Sequence, residues 1–181
     1  IGEAAGVSKA NVFHHFISKN DLYLAVLRNA CHEATQHLDD LGNDQEALAE
    51  RLPQFARAHL ANLLEHGQVA RLMLRELLSD NPRHGQELAE QVYGEKFSRF
   101  VAILRAGQQA GELRSNIDPA MVATVLIGAN VFFFESRAVL RHFPDVSFTQ
   151  QPERYSMMLA DILLHGILPP HSATTRNRNR T

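Results

Sequence analysis

The sequence holds a single cysteine, Cys31, among 181 residues, which excludes an intramolecular disulfide framework and fits a reducing cytoplasm better than secretion. Catalytic signatures are missing as well: there is no G-x-S-x-G elbow, no phosphate-cradling glycine loop and no paired C-x-x-C. The longest apolar run, Met121 to Phe134, spans fourteen residues and is broken by Thr124, Gly128 and Asn130. About 20 are needed to cross a bilayer, so a buried helix is expected there and no membrane partner. No signal peptide is visible at the start, where the chain opens on Ile1.

Charge of one sign is also lacking overall, with a net of −2, but its placement is uneven. Residues 1–30 carry three basic and two acidic side chains, 171–181 carry three arginines and no acid, and the remainder holds twelve basic against eighteen acidic. That remainder repels a polyanion, so nucleic-acid contact is confined to the first thirty residues or the tail.

Sustained alternation is almost absent, whereas nearly every segment shows a period near 3.6 residues, which predicts an all-α chain. Ser18 with Asp21 three residues later forms a capping-box pattern that opens a long helix to about His37–Leu41, closed by Gly42 and Asn43. A helix over 46–65 aligns Leu48, Leu52, Phe55, His59 and Leu63 on one stripe. Val69, Leu72, Met73, Glu76 and Leu77 continue at helical spacing to "SDNP" at 79–82. From Gln86 to about Ala110 a single helix is expected, with Leu88, Val92, Tyr93, Phe97, Phe100, Val101 and Leu104 inward and Gly107 and Gly111 at its end. Asp118 caps the next helix with Pro119 in its first position, and this helix, to about His142, is apolar nearly all round. The last, 152–166, turns Tyr155, Met158, Leu159, Ile162 and Leu163 inward. Two adjacent over-apolar helices imply a homodimer built as a four-helix bundle, with Val125, Phe132, Tyr155, Met158 and Ile162 as interface candidates. "PPHSATTRNRNRT" at 169–181 is expected to be disordered.

The first residues carry the chemistry. "IGEAAGV" reads as the end of a small-residue helix stopped by Gly6, and Ser8 can cap a two-turn helix over Lys9–Phe16. Ala4, Ala5, Val7, Val12 and Phe16 would form a small core, leaving Lys9, Ala10, Asn11 and His14 to face base edges: Asn to adenine, Lys to guanine, Ala to a thymine methyl. Lys19, in the first turn of the next helix, would neutralise a phosphate.

"GVSKANVFHHFISKNDLYLAVL" resembles the end of the DNA-binding domain of the TetR family of bacterial transcriptional repressors. The likeness covers residues 1–28 closely, with "AGELR" and "HGILP" as weaker echoes. Phe13 stands where the family usually has a phosphate-contacting tyrosine, and Asn11 where threonine is common. The resemblance implies that a first helix and most of a second precede Ile1, that operator DNA is the partner once those helices are present, and that Ser8, Lys9, Ala10, Asn11, Phe13, His14 and Lys19 lie at the DNA.

Other constellations are weaker. His32-Glu33 followed by His37 approaches a zinc motif, but at i,i+5 the two rings stand about 140° apart on a helix and cannot chelate one ion. No metal or cofactor is expected. His59, Glu76 and Asn130 are polar groups on apolar stripes, and with Met73, Tyr93, Phe97 and Phe133 they make a candidate effector pocket in which Glu76 would favour a cationic or hydrogen-bonding ligand. The expectation is a homodimeric repressor released from its operator by a small molecule, not an enzyme. Residues 1–42 would be the DNA-reading part and connecting helix, 43–169 the effector and dimerisation domain, and 170–181 a tail. A dimerisation protein without ligand, or a metal-dependent helical-bundle enzyme, are the alternatives.

Overall fold

The computed structural model describes residues 4–30, 33–43, 46–78 and 82–166, and every regular element among them is helical. Gly6, at φ 67°, takes the left-handed conformation that stops a helix. The Ser8 hydroxyl accepts from the Asn11 N–H at 3.1 Å and so opens α1 (Lys9–His15). At α2 (Lys19–Ala30) Ser18 Oγ accepts from Asp21 N–H while Asp21 takes the Ile17 N–H, so the expected box closes one residue earlier than its usual form. α3 (Glu33–Gly42) follows; residues 31 and 32, where the expected long helix would run on, lie outside the described residues. His32 of the zinc-like pattern and the tail at 167–181 lie outside them too.

α4 (Leu48–Glu65) and α5 (Gly67–Leu77) meet at His66, and α6 (Pro82–Leu88) leads into a π turn over Ala89–Tyr93 and then α7 (Gly94–Gln109). The single helix expected over 86–110 is therefore two helices joined by a wide turn. Val92 and Phe100 are eight residues apart, about 80° out of phase on an unbroken α-helix. The π turn absorbs roughly one residue, which brings them to within about 20°, so one continuous face is buried. Phe97, expected inward, is 36% exposed: it shares a face with Leu104 but lies two turns nearer the π turn, where the described residues give it little cover.

Gly94 makes the wide turn possible, because a Cβ there would strike the carbonyl oxygen of Ala89. Elsewhere in a helix Gly→Ala stabilises by roughly 1 kcal/mol. Gly94→Ala is expected to reverse that sign and destabilise by about 1–3 kcal/mol through overpacking, read as a lower urea midpoint; a midpoint that rises instead would contradict this account.

Asp118 caps α8 (Pro119–Leu140) by accepting from Ala120 N–H at 2.8 Å, with Pro119 in the first turn as expected. At 22 residues α8 is long and apolar enough to cross a membrane by composition. Counting an uninterrupted run underestimated it, since Thr124, Gly128 and Asn130 all remain within the helix. In the fold its inner face packs on α4, α7 and α9. A short 3-10 turn (Phe148–Gln150) precedes α9 (Pro152–His165).

Two clusters hold the described chain together. The larger joins Leu38 and Leu41 of α3, Leu48, Leu52, Phe55 and Ala56 of α4, Phe100 and Leu104 of α7, and Ala123 and Leu126 of α8. The smaller joins Leu24 and Leu27 of α2 to Leu88 and Val92, with Tyr23, Leu72, Met73 and Tyr93 against it. Each fully buried Leu or Phe contributes roughly 1.5–3 kcal/mol. The second cluster matters most for function, because it fixes α2, which directly follows α1, to the π turn.

The inward face of α9 differs from expectation. Ser156 and Ala160 are buried, whereas Met158 and Ile162 are about half exposed. α9 makes its broadest contact with α4, and close helix approach selects small side chains at i and i+4 over large ones.

Candidate functional site

The candidate site residues fall in two separate sets among the described residues. α1 forms the first. It buries none of its residues, and Val12 and Phe16 are only half-buried while Ala4, Ala5 and Val7 are exposed, so the small core expected around the motif is not assembled among the described residues. The element that would cover this face is not one of those described. Lys9, Ala10, Asn11, Phe13, His14 and Lys19 are all exposed, as a reading surface requires. Round the helix they divide: Ala10, Asn11 and His14 fall within about 100° of one another, and Lys9 and Phe13 within about 40°. The Lys9 ammonium lies 5.9 Å from the Phe13 ring centre, which gives Phe13 a packing role in place of a hydroxyl. Ser8 is engaged as a cap, the Asp21 amide is taken by Ser18, and Lys19 is exposed in the same turn.

The second set is a polar pair inside the core. Asn130 of α8 is fully buried, its Nδ2 donating to the Ala56 carbonyl at 2.9 Å and lying 3.0 Å from His59 Nδ1 of α4. That contact requires His59 Nδ1 to accept, hence a neutral ring with its proton on Nε2. Burial, and after it the charge of His37, hold the His59 pKa down to about 4 from the ordinary 6.5, which keeps the ring neutral. Asn130 Oδ1 is buried and finds no hydrogen-bond partner among the described residues. A buried acceptor left over in a satisfied pair is the atom through which a ligand donor gains most. Around the pair, Phe55 stacks on His59 at 6.1 Å between ring centres and tilts against Phe100 at 4.6 Å, and Phe133 follows Asn130 on α8.

The seven expected pocket residues do not form one group. His59, Asn130 and Phe133 belong to the α4–α8 core. Met73 and Tyr93 pack against the smaller cluster with α2. Glu76 lies beside that cluster, 3.9 Å from Arg75 Nε and hydrogen-bonded to Tyr23, whose pKa is raised by burial and by this carboxylate. Glu76 therefore stands apart from His59 and Asn130, which corrects the expectation of one shared pocket. Phe97 joins neither group.

Tyr155, expected both inward on α9 and at a dimer interface, is half-buried: its hydroxyl donates to the Ala129 carbonyl at 2.6 Å, and its ring stacks on Phe133 with centres 4.3 Å apart. Burial raises its pKa. Val125, Phe132, Met158 and Ile162 are exposed, as unpartnered interface residues would be. On α8 the exposed Met121, Val125, Phe132 and Val139 fall within about 40° of one another, opposite Asn130 and about 100° round from Phe133. Tyr23 and the cationic groups near the end of α8 were not foreseen; apolar periodicity carries no signal for a tyrosine at a cluster edge or for arginines from different helices.

Residues 43–143 match the family described as tetracyclin repressor-like, C-terminal domain, and residues 1–26 match that of bacterial regulatory proteins, tetR family. The HTH-type transcriptional regulator RutR of Escherichia coli K12 is 31% identical over 113 residues, 61% of this chain and 53% of the relative. The match thus spans about half the length of that curated relative. The fold is similar to the crystal structure of the transcriptional regulator FadR of Bacillus subtilis in complex with stearoyl-CoA (TM-score 0.73, 17% identity, 92% of this chain and 86% of that one). It is also similar to the fatty acid degradation regulator FadR of Bacillus halodurans (TM-score 0.74, 16% identity, 92% and 86%).

Proposed function

The chain belongs to the TetR family of bacterial regulators, and on that premise we propose that it is a homodimeric, DNA-binding transcriptional repressor released from its operator by a small-molecule effector. The observation that carries this reading is the exposed, Ser8-capped α1, set by the left-handed Gly6 and followed at once by a helix fixed to Leu88 and the π turn through Leu24 and Leu27. Residues 1–42 serve DNA contact and connection, 43–169 effector binding and dimerisation.

In the proposed mechanism the effector donates a hydrogen bond to Asn130 Oδ1 and lies against His59 and Phe133, so it is a mainly apolar molecule with one N–H or O–H donor. Seating it displaces α8 relative to α4 and α7. α7 runs without interruption into the π turn, the π turn packs on α2, and α2 follows the reading helix. Met73 and Tyr93 sit along this relay rather than at the effector. Two reading helices must stand about 34–36 Å apart to enter successive major grooves, so a small tilt of α2 is enough to spoil the fit. By linkage, operator DNA weakens effector binding by the same factor.

The test is fluorescence-anisotropy titration of the full-length protein against DNA from beside its own gene and against random DNA, over a range of salt. Asn11→Ala is expected to cost about 1–3 kcal/mol at each half-site, and to narrow the ratio of specific to random affinity. Lys19→Ala is expected to weaken both equally and lower the salt slope by about one for each half-site. Equal affinity for the two DNAs at every salt concentration would sink the regulator reading.

A further inference from the structure

We infer that the far end of α8 carries a second ligand site, one for the phosphate group of an organic phosphate. A cavity of about 710 Å³ opens between the start of α5, the last turns of α8 and the 3-10 turn. Arg71, Arg137, Arg141 and His142 line it together with Phe134 and Thr149, and no carboxylate is among its lining residues. In a chain whose residues 31–170 carry more acids than bases, converging cations from two helices make a local field of the opposite sign.

Arg137 is the anchored member of the group. Arg137 Nε donates to the Thr149 carbonyl at 2.9 Å, which leaves its two terminal nitrogens for a ligand. Arg71 rests over the Phe134 ring at 5.2 Å and lies 3.7 Å from Glu135, the nearby acid that partly offsets the charge. Arg141 Nε lies 3.4 Å from His142 Nε2. Thr149 is 2% exposed, and its hydroxyl oxygen finds no hydrogen-bond partner among the described residues. Thr149 lines the cavity beside Arg137, so this unpartnered hydroxyl belongs to a residue of the same site. Guanidinium groups matched to several equivalent oxygens suit phosphate better than a single carboxylate, and the volume lies within the range of small-molecule sites, well beyond a bare phosphate ion. The site uses the inward side of α8, so the exposed apolar stripe opposite remains available to a second subunit.

The experiment is thermal-shift and calorimetric titration of the full-length protein, free of DNA, with pyrophosphate and, in a second arm, acetate, at constant ionic strength. Saturable binding of pyrophosphate is expected, weakened at least tenfold by Arg141→Gln and about fivefold by Thr149→Val, and unchanged by Arg105→Gln on the exposed face of α7. Arg71→Gln, on a largely exposed side chain, repeats the test should Arg141→Gln fail to fold. Absence of saturation, or equal binding by the arginine variants and the parent, would overturn the site. Acetate binding as tightly as pyrophosphate would overturn the assignment to phosphate.

Discussion

Phe132→Asp is expected to convert a dimer into folded monomers. Phe132 is 64% exposed in the single chain, in mid-stripe between Val125 and Val139 on the outer face of α8. An apolar stripe of this length at about seven-residue spacing suits a second helix and not water. If two subunits meet there, symmetry places both copies of residue 132 in one interface. Each substitution then removes roughly 2 kcal/mol of apolar burial and introduces a carboxylate with no partner, whose desolvation adds several kcal/mol more. A total of at least about 4 kcal/mol corresponds to a dimer dissociation constant raised by roughly a thousandfold. Sedimentation velocity reads the mass, and circular dichroism reads the helix content, which should change little because residue 132 makes no core contact in the single chain. Operator binding should fall with it, since one subunit holds one reading helix. A variant that stays dimeric with the parent's dissociation constant places the interface elsewhere.

The elements with strong local punctuation were legible before any coordinates: Gly6 with Ser8, Ser18 with Asp21, and Asp118 with Pro119 each cap a helix through one side chain a few residues away. What escaped depended on partners distant in sequence. The π turn leaves no periodic trace, because its apolar residues satisfy an α-helical count on either side and disagree only across it. Ser156 and Ala160 were passed over on α9 for Met158 and Ile162, since hydropathy ranks side chains by size whereas the contact with α4 selects small ones. The candidate site was legible as faces but not as pairings. Periodicity put His59 and Asn130 on inward stripes, and the structure joined them; it put Glu76 on a similar stripe, which faces Tyr23 and a different cluster.

That pairing makes stability depend on pH in a predictable direction. In the unfolded chain His59 takes up a proton near pH 6.5, but in the folded protein only near pH 4. Between those values the unfolded state binds more protons, so stability rises with pH through this window and falls as the solution is acidified. The contribution is fully present above about pH 6.5 and has gone by about pH 4. At pH 4.5 the loss amounts to about 2–3 kcal/mol from this ring alone. His59→Gln keeps a side chain able to meet Asn130 but removes the titration. The variant is therefore expected to lose about 2–3 kcal/mol less than the parent between pH 7 and pH 4.5, measured as the difference in urea unfolding free energies. Acid titration of carboxylates is common to both proteins and cancels in that difference. Parallel pH profiles would mean that His59 accepts a proton freely in the folded state. Its ring could not then accept from Asn130, and the neutral pair on which the proposed effector contact rests would have to be abandoned.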